Sequence, residues 1–271
     1  MKKVIFQHLA KTAGTSLIRA AKRAFRGSVC PARYDGELTT ELIRDDRFLF
    51  YQGHFSFEMV ERFKDANPDS FAFVFLRHPI NRVISQYYNW VDPQRTKVEY
   101  AEIMKRQMLA AEEVAQRLEK FKQSIFGLSL EEFVNSTDPD IVDVVYNHQT
   151  RYVSRRAAFG LSPLHGYLDA IDNLLNFYDF VGTMETYDAS AAELFTRLHL
   201  DPKLIKARVR ANTNDVHKAN GRYRVHRATA LRLAEMNVYD LCIFHHVLGK
   251  QLLTHGVGAT ASELLRLPEL L

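Results

Sequence analysis

Residues 4–16, Val-Ile-Phe-Gln-His-Leu-Ala-Lys-Thr-Ala-Gly-Thr-Ser, restrict the possible folds more than any other stretch. Val4, Ile5 and Phe6 form a short apolar run with a β-branched pair and no charge, which predicts a buried strand. Lys11 to Gly14 interrupt that pattern. From about Thr15 the spacing of Leu17, Ile18, Ala21, Ala24 and Phe25 predicts a helix, with Arg19, Lys22, Arg23 and Arg26 on its other face. A strand, a glycine turn and a helix in this order aim free backbone N–H groups at one point. Those groups and the helix dipole favour an anion there. Lys11 adds a cation, and Thr12, Thr15 and Ser16 add hydroxyls, so the stretch is read as a phosphate cradle. The same residues would also serve an ordinary capped strand-to-helix turn. The cradle is not a Walker A loop, because Lys11 precedes Gly14 rather than following it, and this disfavours a nucleoside triphosphate.

Elsewhere the chain alternates strands with helices. Phe48 to His54 reads as a second strand ending in Gly-His, followed by a helix over Ser56 to Lys64. Phe71 to Leu76 is continuously apolar, as a central parallel strand would be, and it ends in Arg77-His78-Pro79. A helix follows on Val83, Ile84, Tyr87, Tyr88 and Val91. Arg77 sits at a strand end, where a guanidinium can grip a phosphate with two parallel hydrogen bonds; pairing with a nearby carboxylate is its other use. Ser85 lies two turns into the helix. His54, at another strand exit, is a candidate base or a hydrogen-bonded structural histidine. The alternation predicts an α/β fold with a mainly parallel central sheet flanked by helices.

A long charged helix is expected over residues 98–123, within a helical insertion at about 98–136, and a capping box begins at Ser129. Asn147, Gln149 and Arg151 form a hydrogen-bonding cluster that could grip a polyhydroxylated substrate or end a helix. Ala170 to Phe177 is amphipathic, Phe180 to Thr183 resembles a further strand, Ser190 to Leu198 a helix, and Arg227 to Leu253 one long closing helix. Residues 208–224, including Asn212 and Thr213, are polar and basic and are read as a flap over an anion.

Composition sets outer limits. A chain of 271 residues with 46% apolar and 25% charged residues suits one large α/β domain over residues 1–271. The net charge of +4, without a basic block, argues against nucleic acid as partner. The two cysteines, Cys30 and Cys242, make neither a disulfide framework nor a metal motif, and no metal is expected. No signal-peptide pattern follows Met-Lys-Lys, and no apolar run reaches the roughly 18–20 residues of a membrane span, so a cytoplasmic protein is expected.

Two segments together resemble a known family. His-Leu-Ala-Lys-Thr-Ala-Gly-Thr-Ser, residues 8–16, resembles the 5′-phosphosulfate loop of sulfotransferases. Phe-Leu-Arg-His-Pro-Ile-Asn-Arg-Val-Ile-Ser-Gln-Tyr-Tyr, residues 75–88, resembles their 3′-phosphate motif. Residues 51–57 and 147–152 are similar to segments of the heparan/uronosyl 2-O-sulfotransferase branch and its bacterial relatives. The resemblance implies a P-loop-related fold and 3′-phosphoadenosine 5′-phosphosulfate (PAPS) as donor. It implies that Lys11, Thr12, Ala13, Gly14, Thr15 and Ser16 wrap the phosphosulfate, with Arg77 and Ser85 on the 3′-phosphate. Asn212 and Thr213 join the donor side, and Asn147, Gln149 and Arg151 the acceptor side. Lys11 and His54 would be the catalytic cation and general base for a hydroxyl of a carbohydrate or glycolipid. A P-loop kinase and a non-catalytic nucleotide-binding module are the competing readings.

Overall fold

A computed structural model gives the fold. It describes residues 2–12, 14–91, 112, 116, 119, 120, 123, 125–205, 224–255 and 269–270. Ala13, Asn212, Thr213, the expected flap up to residue 223 and most of the expected helix over 98–123 lie outside the described residues.

In chain order, β1 (Val4–Gln7) leads to α1 (Gly14–Ala24), α2 (Thr40–Arg44), β2 (Phe50–Gly53), α3 (Phe57–Ala66), β3 (Phe71–Leu76) and α4 (Pro79–Trp90). A run of short helices follows: α5 (Leu130–Val134), α6 (Pro139–Val145), α7 (His148–Val153), α8 (Arg156–Leu161) and α9 (Pro163–Asp172). The chain then forms β4 (Phe180–Thr183), α10 (Tyr187–Arg197), β5 (Arg224–Val225), α11 (Arg227–Met236), α12 (Val238–His255) and β6 (Glu269–Leu270).

The central sheet has four strands in the order β2-β1-β3-β4, and every pairing is parallel. Val4 registers with Phe50 on one side and Phe71 on the other, and Phe73 registers with Phe180. Successive strand residues point to opposite faces. Val4, Phe6, Phe50, Phe73 and Phe75 pack under α1 and α10, against Leu17, Ala21, Ala191 and Leu194. Ile5, Tyr51, Ala72, Val74 and Leu76 pack under α3 and α12, against Val60, Phe63, Phe244 and Val247. Burial on both faces explains why Phe71–Leu76 is apolar throughout instead of alternating. A third cluster joins Ile80, Val83 and Ile84 of α4 to α5, α6 and α11.

Local chemistry starts these helices. The Ser56 hydroxyl accepts the Met59 N–H at the start of α3, Thr39 does the same for α2, and Ser129 and Glu132 complete a capping box on α5. Two helical expectations change. The single helix expected over Arg227–Leu253 is two, divided at Asn237, whose buried side chain donates to the Leu233 carbonyl at 2.9 Å. Asn147 then accepts the Tyr239 and Asp240 N–H groups and starts α12 afresh. The amphipathic stretch expected over Ala170–Phe177 begins earlier, as α9, and winds into a π-helical turn over Asn173–Phe177.

Candidate active site

The chain runs from β1 to β2 on one side, then crosses to β3 on the other. The loops leaving β1 and β3 therefore diverge, and in open parallel sheets this switch point is where ligands bind. Residues 8–12 and 77–79 occupy it. Lys11 has φ 69°, in the left-handed region that a side chain other than glycine enters at a cost of about 1–2 kcal/mol. That backbone twist is held in place. The Arg77 guanidinium donates to the Lys11 carbonyl at 3.1 Å, and the Lys11 ammonium donates to Asn89 Oδ1 at 3.0 Å. Buried Thr12 turns its hydroxyl back to the Leu9 carbonyl at 2.9 Å. α1 starts at Gly14 with no acidic residue in its first turn, so its N-terminal field is left to attract an anion. Thr15 is exposed there and Ser16 half-buried.

Arg77 is clamped from behind. The Gln149 carboxamide accepts the Arg77 N–H and donates to the Arg77 carbonyl, each at 2.8 Å. Along α4, Arg82, Ser85, Gln86 and Asn89 fall at i, i+3, i+4 and i+7, and all four are buried. A buried polar stripe on a helix is costly unless it meets partners. Here Asn89 receives Lys11, and Arg82 donates to the Val144 carbonyl at the end of α6. The Ser85 hydroxyl has no hydrogen-bond partner among the described residues.

Histidines line the same edge. His54, half-buried, stacks on His8 at 4.6 Å and on Tyr34 at 5.8 Å. His8 stacks in turn on Phe6 at 5.3 Å. Burial, then the neighbouring His54, Lys11 and Arg33, hold the His8 pKa well below the usual histidine value. Burial, with His245 and Arg77 behind it, pushes His78 down to about 4. Burial and the charges of Arg82 and Arg151 also hold His148 well below the usual histidine value, and its Nδ1 lies 3.1 Å from the Asp143 carbonyl. At neutral pH these three rings are uncharged.

The structure thus brings Lys11, Thr12, Gly14 and Arg77 together, with His54 on the β2 side and Ser85 along α4. The Asn147–Arg151 cluster is turned inward. Asn147 and Gln149 are 1% and 0% exposed and bond to backbone, and Arg151 pairs with Asp143 at 2.6 Å. Three supporting residues were not singled out from the sequence: Asn89, Arg82 and Asp240. The first two carried a signal, because polar residues at 82, 85, 86 and 89 mark one helical face. Asp240 carried none; its partners Gln149 and Thr150 lie about ninety residues away.

Among the described residues no cluster of three or more His, Cys, Asp or Glu side chains could hold a metal ion, and no helix is long and apolar enough to cross a membrane. The model of the Sulfotransferase family matches residues 1–246. The chain belongs to the sulfotransferase family. Membership implies transfer of a sulfuryl group to an acceptor and agrees with the parallel, helix-flanked sheet. Comparison with curated proteins finds no match. Sulfotransferases generally take the group from PAPS. The residues of the cradle suit such a donor: two cations, a helix N-terminus free of acid, and the buried Ser85 hydroxyl.

Proposed function

We propose that residues 1–271 form one sulfotransferase domain that moves the sulfuryl group of PAPS to a hydroxyl of a carbohydrate or glycolipid acceptor. The observation that carries this is the single junction at the switch point. There Arg77 holds the Lys11 carbonyl at 3.1 Å, while His54 stands on the β2 side, 4.6 Å ring to ring from His8. Lys11, Thr12, Gly14, Thr15 and Ser16 are assigned to the phosphosulfate end, and Arg77 and Ser85 to the 3′-phosphate end. His54 and Lys11 are the reacting groups.

The donor supplies the sulfuryl group. As the acceptor oxygen forms its bond to sulfur, the bond from sulfur to the bridging phosphate oxygen breaks. The acceptor proton passes to His54, and Lys11 neutralises the charge left on the phosphate oxygen. Transfer of this kind gains chiefly from positioning and fixed charge. Gln149 acts on Arg77, not on the acceptor, and Asn89 orients Lys11.

The test is an acceptor screen with radiolabelled donor, including capsular polysaccharides and glycolipids. His54→Ala should lower turnover by about 10²–10⁴-fold with affinity for adenosine 3′,5′-bisphosphate nearly kept. Near-normal turnover in that variant would sink the assignment of His54. Tight nucleotide binding without transfer to any acceptor would point to a non-catalytic module.

A further inference from the structure

A cavity of about 290 Å³ lies on the outer side of β2, beside α1 and away from Arg77. Lys22 of α1, Arg33 and Gln52 are its polar lining, with Cys30 and Pro31 among the rest of its wall. Gln52 is only 4% exposed, yet its carboxamide has no hydrogen-bond partner among the described residues. An amide at a cavity wall keeps both a donor and an acceptor for whatever fills the space. Lys22 and Arg33 form no ion pair among the described residues. Of the two acids nearest Arg33 in sequence, Asp35 pairs with Arg156 at 3.6 Å and accepts the Ser56 N–H at 2.8 Å, and Glu37 accepts the Arg33 backbone N–H at 2.7 Å.

The cavity is tied to the reacting edge. The Arg33 carbonyl accepts the His54 N–H at 2.7 Å. Gly53 permits this approach, since a Cβ there would come within 2.4 Å of that carbonyl oxygen. Gln52 and His54 are two residues apart along the same backbone path. Strand geometry sets them on one face, about 6.6 Å apart. The donor's two phosphate grips, Lys11 and Arg77, lie in the loops that leave β1 and β3. The cavity lies across β1 from β3, and its volume is at the low end for a ligand pocket. One sugar ring suits that volume better than a nucleotide does.

We propose that this cavity is an acceptor subsite for one negatively charged substituent, a carboxylate or sulfate ester on a sugar. The Gln52 amide donates to it, and Lys22 and Arg33 supply the charge. The assignment rests on the reading of His54 as the base on the acceptor side.

The test uses ligand-observed NMR on the full chain with saturating adenosine 3′,5′-bisphosphate. The probes are methyl β-D-glucopyranosiduronate and its neutral counterpart, methyl β-D-glucopyranoside. The acid should bind at least about tenfold more tightly. The Lys22→Ala/Arg33→Ala double variant, altered only at exposed positions, should lose that preference and keep its affinity for the nucleotide. Gln52→Leu should weaken the acid more than the neutral sugar. Equal binding of the two probes, binding of neither, displacement of the acid by the nucleotide, or a preference that survives in the double variant would each overturn the subsite. Failure of the unaltered chain to bind the nucleotide would overturn the donor assignment instead, and the charge preference measured without nucleotide would still decide the cavity.

Discussion

Gly14 is where the cradle depends most on the absence of a side chain. A Cβ built there comes within 1.9 Å of His8 Nε2 and within 2.3 Å of two ring carbons. The ring has little room to retreat, because Phe6 and His54 stack on it. The requirement is for space, not for a left-handed backbone, since Gly14 opens a regular helix. Gly14→Ala should therefore leave the fold standing, helped by the better helix propensity of alanine, up to about 1 kcal/mol. It should displace His8 and with it His54. A misplacement of that order in a reacting group can cost about 10²-fold in rate. Sulfuryl transfer measured beside thermal unfolding separates the two effects. A variant with unchanged turnover would show that His8 moves without carrying His54.

At the scale of elements, α7 and α12 start each other. Asp240, buried near the start of α12, accepts the Gln149 N–H at 3.0 Å, the Thr150 N–H at 2.7 Å and the Thr150 hydroxyl at 2.7 Å. Asn147, just before α7, accepts the Tyr239 and Asp240 N–H groups in return. This crossed cap fixes Gln149, and Gln149 fixes Arg77. Arg82, fully buried, has its charge supported by Asp240, although burial still pushes its pKa down to about 10. Asp240→Ala removes the cap and leaves the guanidinium without that support. It should cost about 3–5 kcal/mol, read as a lower urea midpoint, with Asp240→Asn milder. A loss below about 1 kcal/mol would mean that solvent or Asp143 replaces it. The crossed cap also marks what the sequence could and could not show. The strands were legible because Val4–Phe6 and Phe71–Leu76 are buried on both faces and carry unbroken apolar runs. Lys11, Gly14 and Arg77 were legible because strand ends and a glycine turn announce them. The inward roles of Asn147 and Gln149 were not, since their partners are 72 to 93 residues distant and nothing local points to them. The break at Asn237 escaped for the same reason: asparagine is tolerated within helices, and the cap that restarts α12 comes from Asn147.

Over the whole molecule, neighbouring cations add to burial in keeping three histidines neutral. Lys11 and Arg33 act on His8, Arg77 on His78, and Arg82 and Arg151 on His148, each adding to burial. All three folded pKa values lie below that of the unfolded chain, about 6.5 for histidine. Below pH 6.5 the unfolded chain therefore takes up protons that the folded chain refuses, and stability falls with pH. The contribution is fully present above about pH 6.5. For His78 it is lost progressively down to about pH 4, on the order of 3 kcal/mol in all. Trp90, the only tryptophan in the chain, packs against Phe133 at 6.1 Å and can report unfolding by its fluorescence. Urea titrations followed at Trp90 should give a midpoint that drops steadily from pH 6.5 toward pH 4. His78→Gln should make that drop shallower, because it removes one group that only the unfolded chain can protonate. A bound bisphosphate nucleotide would offset part of the positive field and blunt the drop further. An equally steep fall in the variant would assign the acid sensitivity to other groups, His8 and His148 first among them.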